Sequence, residues 1–123
     1  MAVQELGTED FEKTVSDNDI VLVDFWATWC QPCVKFAPVF DKMSDKHSDV
    51  TFTKLDIDQN QELAGQLGIT AVPTLMAFRE GVLVFNQAGA LNGPQLGEVI
   101  DKVKELDMTE VHAEVKKLQG QQG

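Results

Sequence analysis

The chain has 123 residues, of which 43% are hydrophobic and 24% are charged, and its formal net charge at pH 7 is −10. This length and composition are typical of one globular domain, and they argue against a disordered chain or a solenoid of repeats. The excess of acidic side chains repels phosphate groups and anionic membrane surfaces, so we expect neither nucleic acid nor a membrane as a partner.

The sequence predicts neither a membrane span nor a secretory signal. The longest apolar stretches, residues 20–29 and 82–85, are far shorter than the about 20 residues that a transmembrane helix requires. Residues 1–5 lack both the basic and the apolar segment of a secretory signal. We therefore expect a cytoplasmic protein.

The first half of the chain predicts two helices with a strand between them. Thr8 is a capping residue with acidic residues after it, so a short helix is expected to start there. Residues 20–26 are apolar on both faces, which is typical of a central strand that is covered on each side. Between Gln31 and His47 apolar residues recur with helical spacing, so a second helix is expected there.

The middle of the chain predicts further strands. Residues 50–57 alternate as a strand does, and residues 58–60, Asp58 among them, are expected to cap the short helix that follows. Because strand, helix and strand alternate, residues 20–26 and 50–57 should form a parallel pair. Residues 74–79 and 82–85 flank a tight turn and predict a hairpin, which adds an antiparallel edge.

The C-terminal part predicts two more helices. Pro94 starts a helix that continues to Leu106, and apolar residues then repeat at positions 111, 115 and 118. We predict a domain at residues 1–107 and a helical extension with a flexible tail at residues 108–123. The apolar stripe of the extension is expected to dock on its own domain rather than on a partner. The predicted fold class is α/β, a mixed sheet flanked by helices.

The two cysteines are the most informative residues. Cys30 and Cys33 are separated by Gln31 and Pro32, and a disulfide that closes so short a loop could hardly hold a fold together. The pair therefore indicates chemistry or metal binding. Zinc takes four ligands, and the two histidines lie far apart in the sequence, so we expect no metal site.

The predicted elements place these cysteines where thiol chemistry is favoured. Cys30 lies at the start of a helix, where backbone N–H groups and the helix dipole lower the pKa of a thiol from about 8.5 toward 7. Cys33 lies within disulfide range and would resolve a mixed disulfide by attacking Cys30. Asp24 is the only ionisable residue of its strand, and burial raises the pKa of an unpaired carboxyl toward that of a general base. Lys54, on the neighbouring strand, could moderate that rise.

Residues 23–33, with the sequence VDFWATWCQPC, resemble the active-site signature of the thioredoxin family. Four further matching segments follow in the family's order and spacing, at residues 36–38, 54–58, 72–74 and 89–91. The resemblance implies the thioredoxin fold and dithiol–disulfide exchange. The expected partners are disulfide-containing protein substrates and a thioredoxin-reductase-type electron donor. We expect a monomer without a cofactor, since the dithiol itself stores the electrons.

The resemblance also implies the roles of individual residues. Cys30 matches the family's nucleophile, Cys33 its resolving thiol, Asp24 its buried acid and Lys54 the neighbour of that acid. A second group would form the substrate-binding surface, in which Pro73 matches the family's cis-proline: Trp29, Val72, Pro73, Gly89 and Ala90.

The sequence departs from the family's pattern beside the cysteines. Gln31 stands where a glycine is usual, and Val34 stands where a basic residue is often found. The helix predicted after Leu106 also lies outside the common family length. Because residues between the cysteines change the reduction potential, an oxidant or isomerase is an alternative to the reductase. A redox-inactive binding module with the same fold is a second alternative.

Overall fold

Ten secondary-structure elements succeed one another in residues 2–121, the part of the chain that this computed structural model describes. None of the helices there is long and apolar enough to cross a membrane. The elements are β1 (Val3–Leu6), α1 (Thr8–Asp17), β2 (Ile20–Trp26), α2 (Gln31–Lys46), β3 (Thr51–Asp56), α3 (Gln61–Gln66), β4 (Thr74–Arg79), β5 (Val82–Ala88), α4 (Gly93–Glu105) and α5 (Met108–Gln121).

Strand β2 lies at the centre of a five-stranded sheet whose order is β1-β3-β2-β4-β5. It pairs in parallel with β3 and antiparallel with β4, and β4 pairs antiparallel with β5. Residues 20–25 are all buried, as the apolar pattern on both faces predicts. The predicted parallel pair and the predicted hairpin are both confirmed.

The two faces of β2 contribute to two separate cores. Successive side chains of a strand point to opposite faces, so Leu22 lies on one side of the sheet and Val23 on the other. Leu22 belongs to a core with residues of α2 and α4, namely Phe36, Phe40, Leu96 and Ile100. Val23 belongs to a core with residues of α1 and β4, namely Phe11, Val15, Met76 and Phe78. The sheet is therefore covered by helices on both faces.

Two strands differ from the sequence prediction. The sequence pattern does not predict β1, which forms by pairing in parallel with β3 although Gln4 and Glu5 are exposed. The hairpin strand β5 continues beyond residue 85 to Ala88, and its last three residues pair with residues 74–76 of β4. In both cases a partner strand determines the conformation, and the segment's own apolar periodicity does not.

Two capping predictions are wrong. Helix α1 starts at Thr8 as predicted, but Gly7 is its N-cap, and Thr8 donates its N–H and its hydroxyl to Asn60 Oδ1, each at 2.9 Å. Helix α3 has Asn60, the last residue of the predicted capping segment, as its N-cap, whereas Asp58 does not cap it: Asp58 Oδ2 accepts a hydrogen bond from Trp29 Nε1 at 2.9 Å. Both polar side chains take partners distant in sequence, and a local pattern cannot show such partners.

The extension forms helix α5, and its first two turns lie against the domain. Met108 is buried, Val111 and Val115 are half-buried, and His112 Nε2 lies 2.8 Å from Glu80 Oε1 in the turn between β4 and β5. Leu118 is 53% exposed, so the last residue of the predicted stripe faces away from the domain. Residues 122 and 123 of the predicted tail lie outside the described residues.

We expect a chain that ends at Asp107 to fold cooperatively. Among the residues of α5 whose burial the structure describes, Met108 is the only buried one, and losing the burial of one methionine costs about 1.5 to 3 kcal/mol of the free energy of unfolding. Urea unfolding followed by tryptophan fluorescence measures this cost. The full-length variant Met108→Ala separates loss of that side chain from loss of the helix. A truncated chain without a cooperative transition would contradict a domain boundary at residue 107.

Candidate active site

The geometry of the two cysteines follows from the short loop between β2 and α2. Cys30 is the N-cap of α2, and its Sγ accepts a hydrogen bond from the backbone N–H of Cys33 at 3.2 Å. Pro32 lies in the first turn, where a missing N–H leaves no helical hydrogen bond unmade. The predicted helix start at Gln31 is confirmed.

Cys30 and Cys33 form a disulfide, with their Cα atoms 5.2 Å apart. Both residues are buried and pack with Ala27. The residues between them, Gln31 and Pro32, are exposed. The disulfide thus lies just beneath an exposed turn at the surface of the domain.

The loop before β4 lies directly beside Cys30. Cys30 Sγ is 3.5 Å from the carbonyl oxygen of Val72, and the Val72–Pro73 peptide bond is cis. Gly89 donates its N–H to the carbonyl oxygen of Pro73 at 2.8 Å, and its φ of +104° is one that favours glycine. Val72, distant in sequence, therefore lies beside the sulfur, Gly89 is bonded to the adjacent Pro73, and Ala90 follows Gly89 as an exposed residue.

Trp29 is the most exposed large apolar side chain near the disulfide. It is 65% exposed, and its indole N–H is held by the Asp58 carboxylate. The sequence pattern did not predict Asp58 as a residue of the site. Asp58 follows β3 as the cysteine loop follows β2, and the carboxyl ends of parallel strands meet at one edge of a sheet. That placement is the signal that could have identified it.

Most of the exposed residues around the disulfide carry no charge, although the chain as a whole is strongly acidic. The charged exceptions are Lys35 of α2 and Asp58, whose carboxylate is bonded to Trp29. A face of this kind favours contact with a partner through apolar and backbone groups. The exposed uncharged residues are Thr28, Trp29, Gln31, Pro32, Val34, Ala71, Gly89 and Ala90.

Asp24 is buried in the middle of β2, and its Cα is in register with that of Lys54 in β3. Its Oδ1 atom is buried and has no hydrogen-bond partner within residues 2–121. Desolvation by burial raises the pKa of this carboxyl from 3.8 to about 7, although the positive charge of Lys54 acts to lower it. The direction of this shift agrees with the expectation from the sequence.

A cavity of about 200 Å³ joins Asp24 to the resolving side of the disulfide. Its lining residues are Asp24, Trp26, Cys33, Val34, Ala37 and Lys54. A wider cleft of about 470 Å³ also borders Asp24 and Lys54 and extends to Asp41 of α2. The structure thus brings Asp24, Lys54 and Cys33 around one space, as a proton transfer between Asp24 and Cys33 would require.

Comparison with known proteins agrees with this geometry. The thioredoxin family model matches residues 2–102. A protein of Streptomyces coelicolor named putative thioredoxin 2 is 47% identical, and the match covers 97% of this chain and 89% of that protein. The thioredoxin of Haemophilus influenzae is 38% identical, over 81% of this chain and 95% of its own.

The chain belongs to the thioredoxin family. A solved structure of a mutant thioredoxin from Halobacterium salinarum NRC-1 matches with a TM-score of 0.79 and 35% identity, over 85% of this chain and 92% of that one. The thioredoxin fold with an extra C-terminal helix is therefore confirmed. The match to the Streptomyces protein covers so much of the chain that it extends into α5.

Membership of this family, together with the disulfide, confirms the predicted activity. The chain is a thiol–disulfide oxidoreductase, and the Cys30–Cys33 pair is its redox centre. The pair interconverts between a disulfide and two thiols, and each reduction takes up two electrons and two protons.

We expect Asp24→Asn to stabilise the oxidised protein by an amount that grows with pH. The folded state holds the Asp24 proton more tightly than the unfolded chain does, so ionisation of this group opposes folding. The gap in free energy of unfolding should widen as the pH rises from 3.8 and should level off above about 7. Its full size is up to about 4 kcal/mol.

Urea unfolding of the wild type and of Asp24→Asn, measured at several pH values between about 3.5 and 8.5, tests this expectation. The comparison at the lowest pH is the internal control, because both side chains are then largely neutral. A gap that does not change with pH would contradict a raised pKa for Asp24.

Proposed function

We propose that this chain is a protein disulfide reductase in which Cys30 attacks the substrate and Cys33 releases it. The observation that carries the proposal is the capping position of Cys30, whose Sγ accepts the backbone N–H of Cys33 at 3.2 Å. In the dithiol form this N–H and the positive end of the helix dipole favour a thiolate on Cys30. A thiolate is the form in which a cysteine attacks a disulfide.

The first step forms a mixed disulfide. The Cys30 thiolate attacks one sulfur of the substrate disulfide, so that a new S–S bond joins Cys30 to the substrate. The substrate's own S–S bond breaks, and its second sulfur leaves as a thiolate that takes a proton from water. No net electron transfer is complete at this stage, because one disulfide has replaced another.

The second step releases the substrate and uses Asp24. The Cys33 thiol gives its proton to the Asp24 carboxylate across the shared cavity of about 200 Å³, and Cys33 attacks Cys30 Sγ. The Cys30–Cys33 disulfide forms, and the remaining substrate sulfur leaves as a thiolate. Two electrons have then moved from the Cys30–Cys33 pair to the substrate. The raised pKa of Asp24, about 7, makes its carboxylate a base of suitable strength near neutral pH.

Substrate recognition falls to the residues that surround Cys30. An extended substrate segment would bond to the backbone of Val72, which precedes Pro73 beside the sulfur, as a strand adds to a sheet edge. Trp29, Gly89 and Ala90, with the exposed Gln31 and Pro32, would complete an uncharged contact surface. Backbone recognition of this kind accepts many sequences, which suits a reductase of several proteins.

The remaining elements of the proposal concern the cellular setting. A thioredoxin-reductase-type electron donor returns two electrons to the Cys30–Cys33 disulfide after each cycle, as is general in this family. No cofactor is needed, since the dithiol holds the electrons, and a monomer suffices because one chain supplies every residue of the site. A cytoplasmic location suits the proposal, because thiols are kept reduced there.

We expect Asp24→Asn to slow the release of the substrate without slowing the first attack. The amide cannot accept the Cys33 proton, and general base catalysis contributes about 100-fold or more. Rapid mixing of the reduced protein with a disulfide substrate, followed by acid quenching, resolves the mixed disulfide from the products near neutral pH.

Two variants provide the controls for that experiment. Cys33→Ser should accumulate the mixed disulfide and release nothing, and Cys30→Ser should form none. If Asp24→Asn resolved the mixed disulfide as fast as the wild type, Asp24 would not be the proton acceptor.

Equilibration with glutathione tests the direction of the reaction. A reductase must be at least as reducing as the cytosolic thiol pool, so we expect a reduction potential below about −230 mV for the Cys30–Cys33 pair. Gln31→Gly, which restores the family's usual residue, measures how far Gln31 changes that potential. A potential near about −180 mV or above would instead identify an oxidant or an isomerase. Tight partner binding without reduction of insulin would identify a binding module.

A further inference from the structure

Lys54 lies between two groups that can attract its positive charge. Its Cα is in register with Asp24, and both side chains line the cavity of about 200 Å³. The Lys54 ammonium nevertheless lies over the ring of Trp26, with Nζ 5.1 Å from the ring centroid. Asp24 Oδ1 has no hydrogen-bond partner among residues 2–121. The ammonium is thus placed on the indole face and makes no bond to that carboxylate oxygen.

Whether the Lys54 ammonium lies on the Trp26 ring or on the Asp24 carboxylate determines how strong a base Asp24 is. An ammonium bonded directly to a buried carboxylate stabilises its ionised form and makes it a weak proton acceptor. An ammonium held on an aromatic face acts on the carboxylate only from a distance, and that cation–π contact favours the position over the ring. The ring of Trp26 therefore competes with Asp24 for Lys54.

We propose that Trp26 is a positioning residue, whose ring holds the Lys54 ammonium off the Asp24 carboxylate and so leaves Asp24 free to accept the Cys33 proton. The inference rests on the proposed function, in which Asp24 is that acceptor. The indole contributes its face and not its N–H, since Nε1 is buried without a hydrogen-bond partner in the described chain. A phenyl ring at position 26 would therefore serve the same purpose.

Lys54 is the positively charged group near Asp24 that could stabilise the ionised carboxylate. Helix α2 presents Cys33 to the smaller cavity and Asp41 to the wider cleft, strand β3 presents Lys54, and strand β1 presents Val3. Strand β4 pairs with β2 at Leu75, which does not ionise. Among the described residues that line these two cavities, Lys54 carries the only positive charge.

The test is a double-mutant cycle read out on the ionisation of Asp24. Trp26→Leu removes the aromatic face, Trp26→Phe keeps one, and each is made alone and together with Lys54→Met. Carboxyl ¹³C shifts of the oxidised proteins give the titration midpoint of Asp24, and the pH profile of mixed-disulfide resolution gives its effect on the reaction.

We expect Trp26→Leu to lower the midpoint by about one pH unit, which is a tenfold change in the ionisation constant, because the released ammonium then pairs with Asp24. Trp26→Phe should leave the midpoint near that of the wild type. When Lys54→Met is already present, Trp26→Leu should not lower the titration midpoint of Asp24. A fall that persists without Lys54, or no fall with Lys54 present, would overturn the proposal.

A measurement on the unaltered chain covers the case in which Trp26→Leu does not fold. The ε-methylene protons of Lys54 should show an upfield ring-current shift both below and above the Asp24 midpoint. If that shift disappears when Asp24 ionises, the ammonium leaves the ring for the carboxylate and the proposal is wrong. Failure of the proposed function can be distinguished from failure of this inference. If Asp24→Asn resolves the mixed disulfide at the wild-type rate, the proposed function is wrong, even where Trp26→Leu still lowers the ¹³C titration midpoint of Asp24.

Discussion

The hydrogen bond from the Cys33 N–H to Cys30 Sγ is the interaction on which the chemistry of this chain depends. The N-cap of a helix is usually an oxygen-bearing side chain that accepts an orphan N–H. Here a sulfur accepts it, at 3.2 Å, because β2 ends at Trp26 and the next residues deliver Cys30 to the start of α2. A reactive atom thus occupies a structural position, and the capping contact that orders the helix also favours the thiolate.

Strand β2 supplies both buried core residues and the proposed base of the reaction, Asp24. Its buried apolar residues contribute to the cores on both faces of the sheet, and Asp24 lies among them with one carboxylate oxygen, Oδ1, that no described residue bonds. A charge in such a place opposes folding, so the site is less stable than the packing around it would allow. The same burial raises the pKa of Asp24 to about 7, and its carboxylate lies on the cavity that Cys33 also lines. Its neighbour Lys54 lies on Trp26, so that the base is not neutralised by a direct ion pair.

The sequence predicted the elements whose own residues carry a clear apolar pattern, continuous in a buried strand and periodic in a helix. Strand β2 and helix α2 are of this kind, and with them came the placement of Cys30, Cys33 and Asp24. Strand β1 has no such pattern and is ordered by β3, so it was not predicted. Asp58 was assigned to a helix cap, but it bonds to Trp29, because a local pattern contains no information about contacts across the fold.

The rest of the site came from the family resemblance and from the structure. Spacing alone does not bring Pro73 or Gly89 to Cys30, and the resemblance was needed to expect them there. The contact between Lys54 and Trp26 was visible only in three dimensions, since it depends on where a long flexible side chain settles. The docking of α5 was expected, and the structure limits it to the first two turns, with Leu118 left exposed.

The most direct test of this account is the titration of the two thiols in the reduced protein, followed by the ultraviolet absorbance of the thiolate. Because Cys30 caps α2, its thiol should ionise at a lower pH than a free cysteine, whose pKa is about 8.5, and Cys30→Ser should remove that early transition. If both thiols ionised together near the pKa of free cysteine, about 8.5, the capping contact would not activate Cys30, and the account would be wrong.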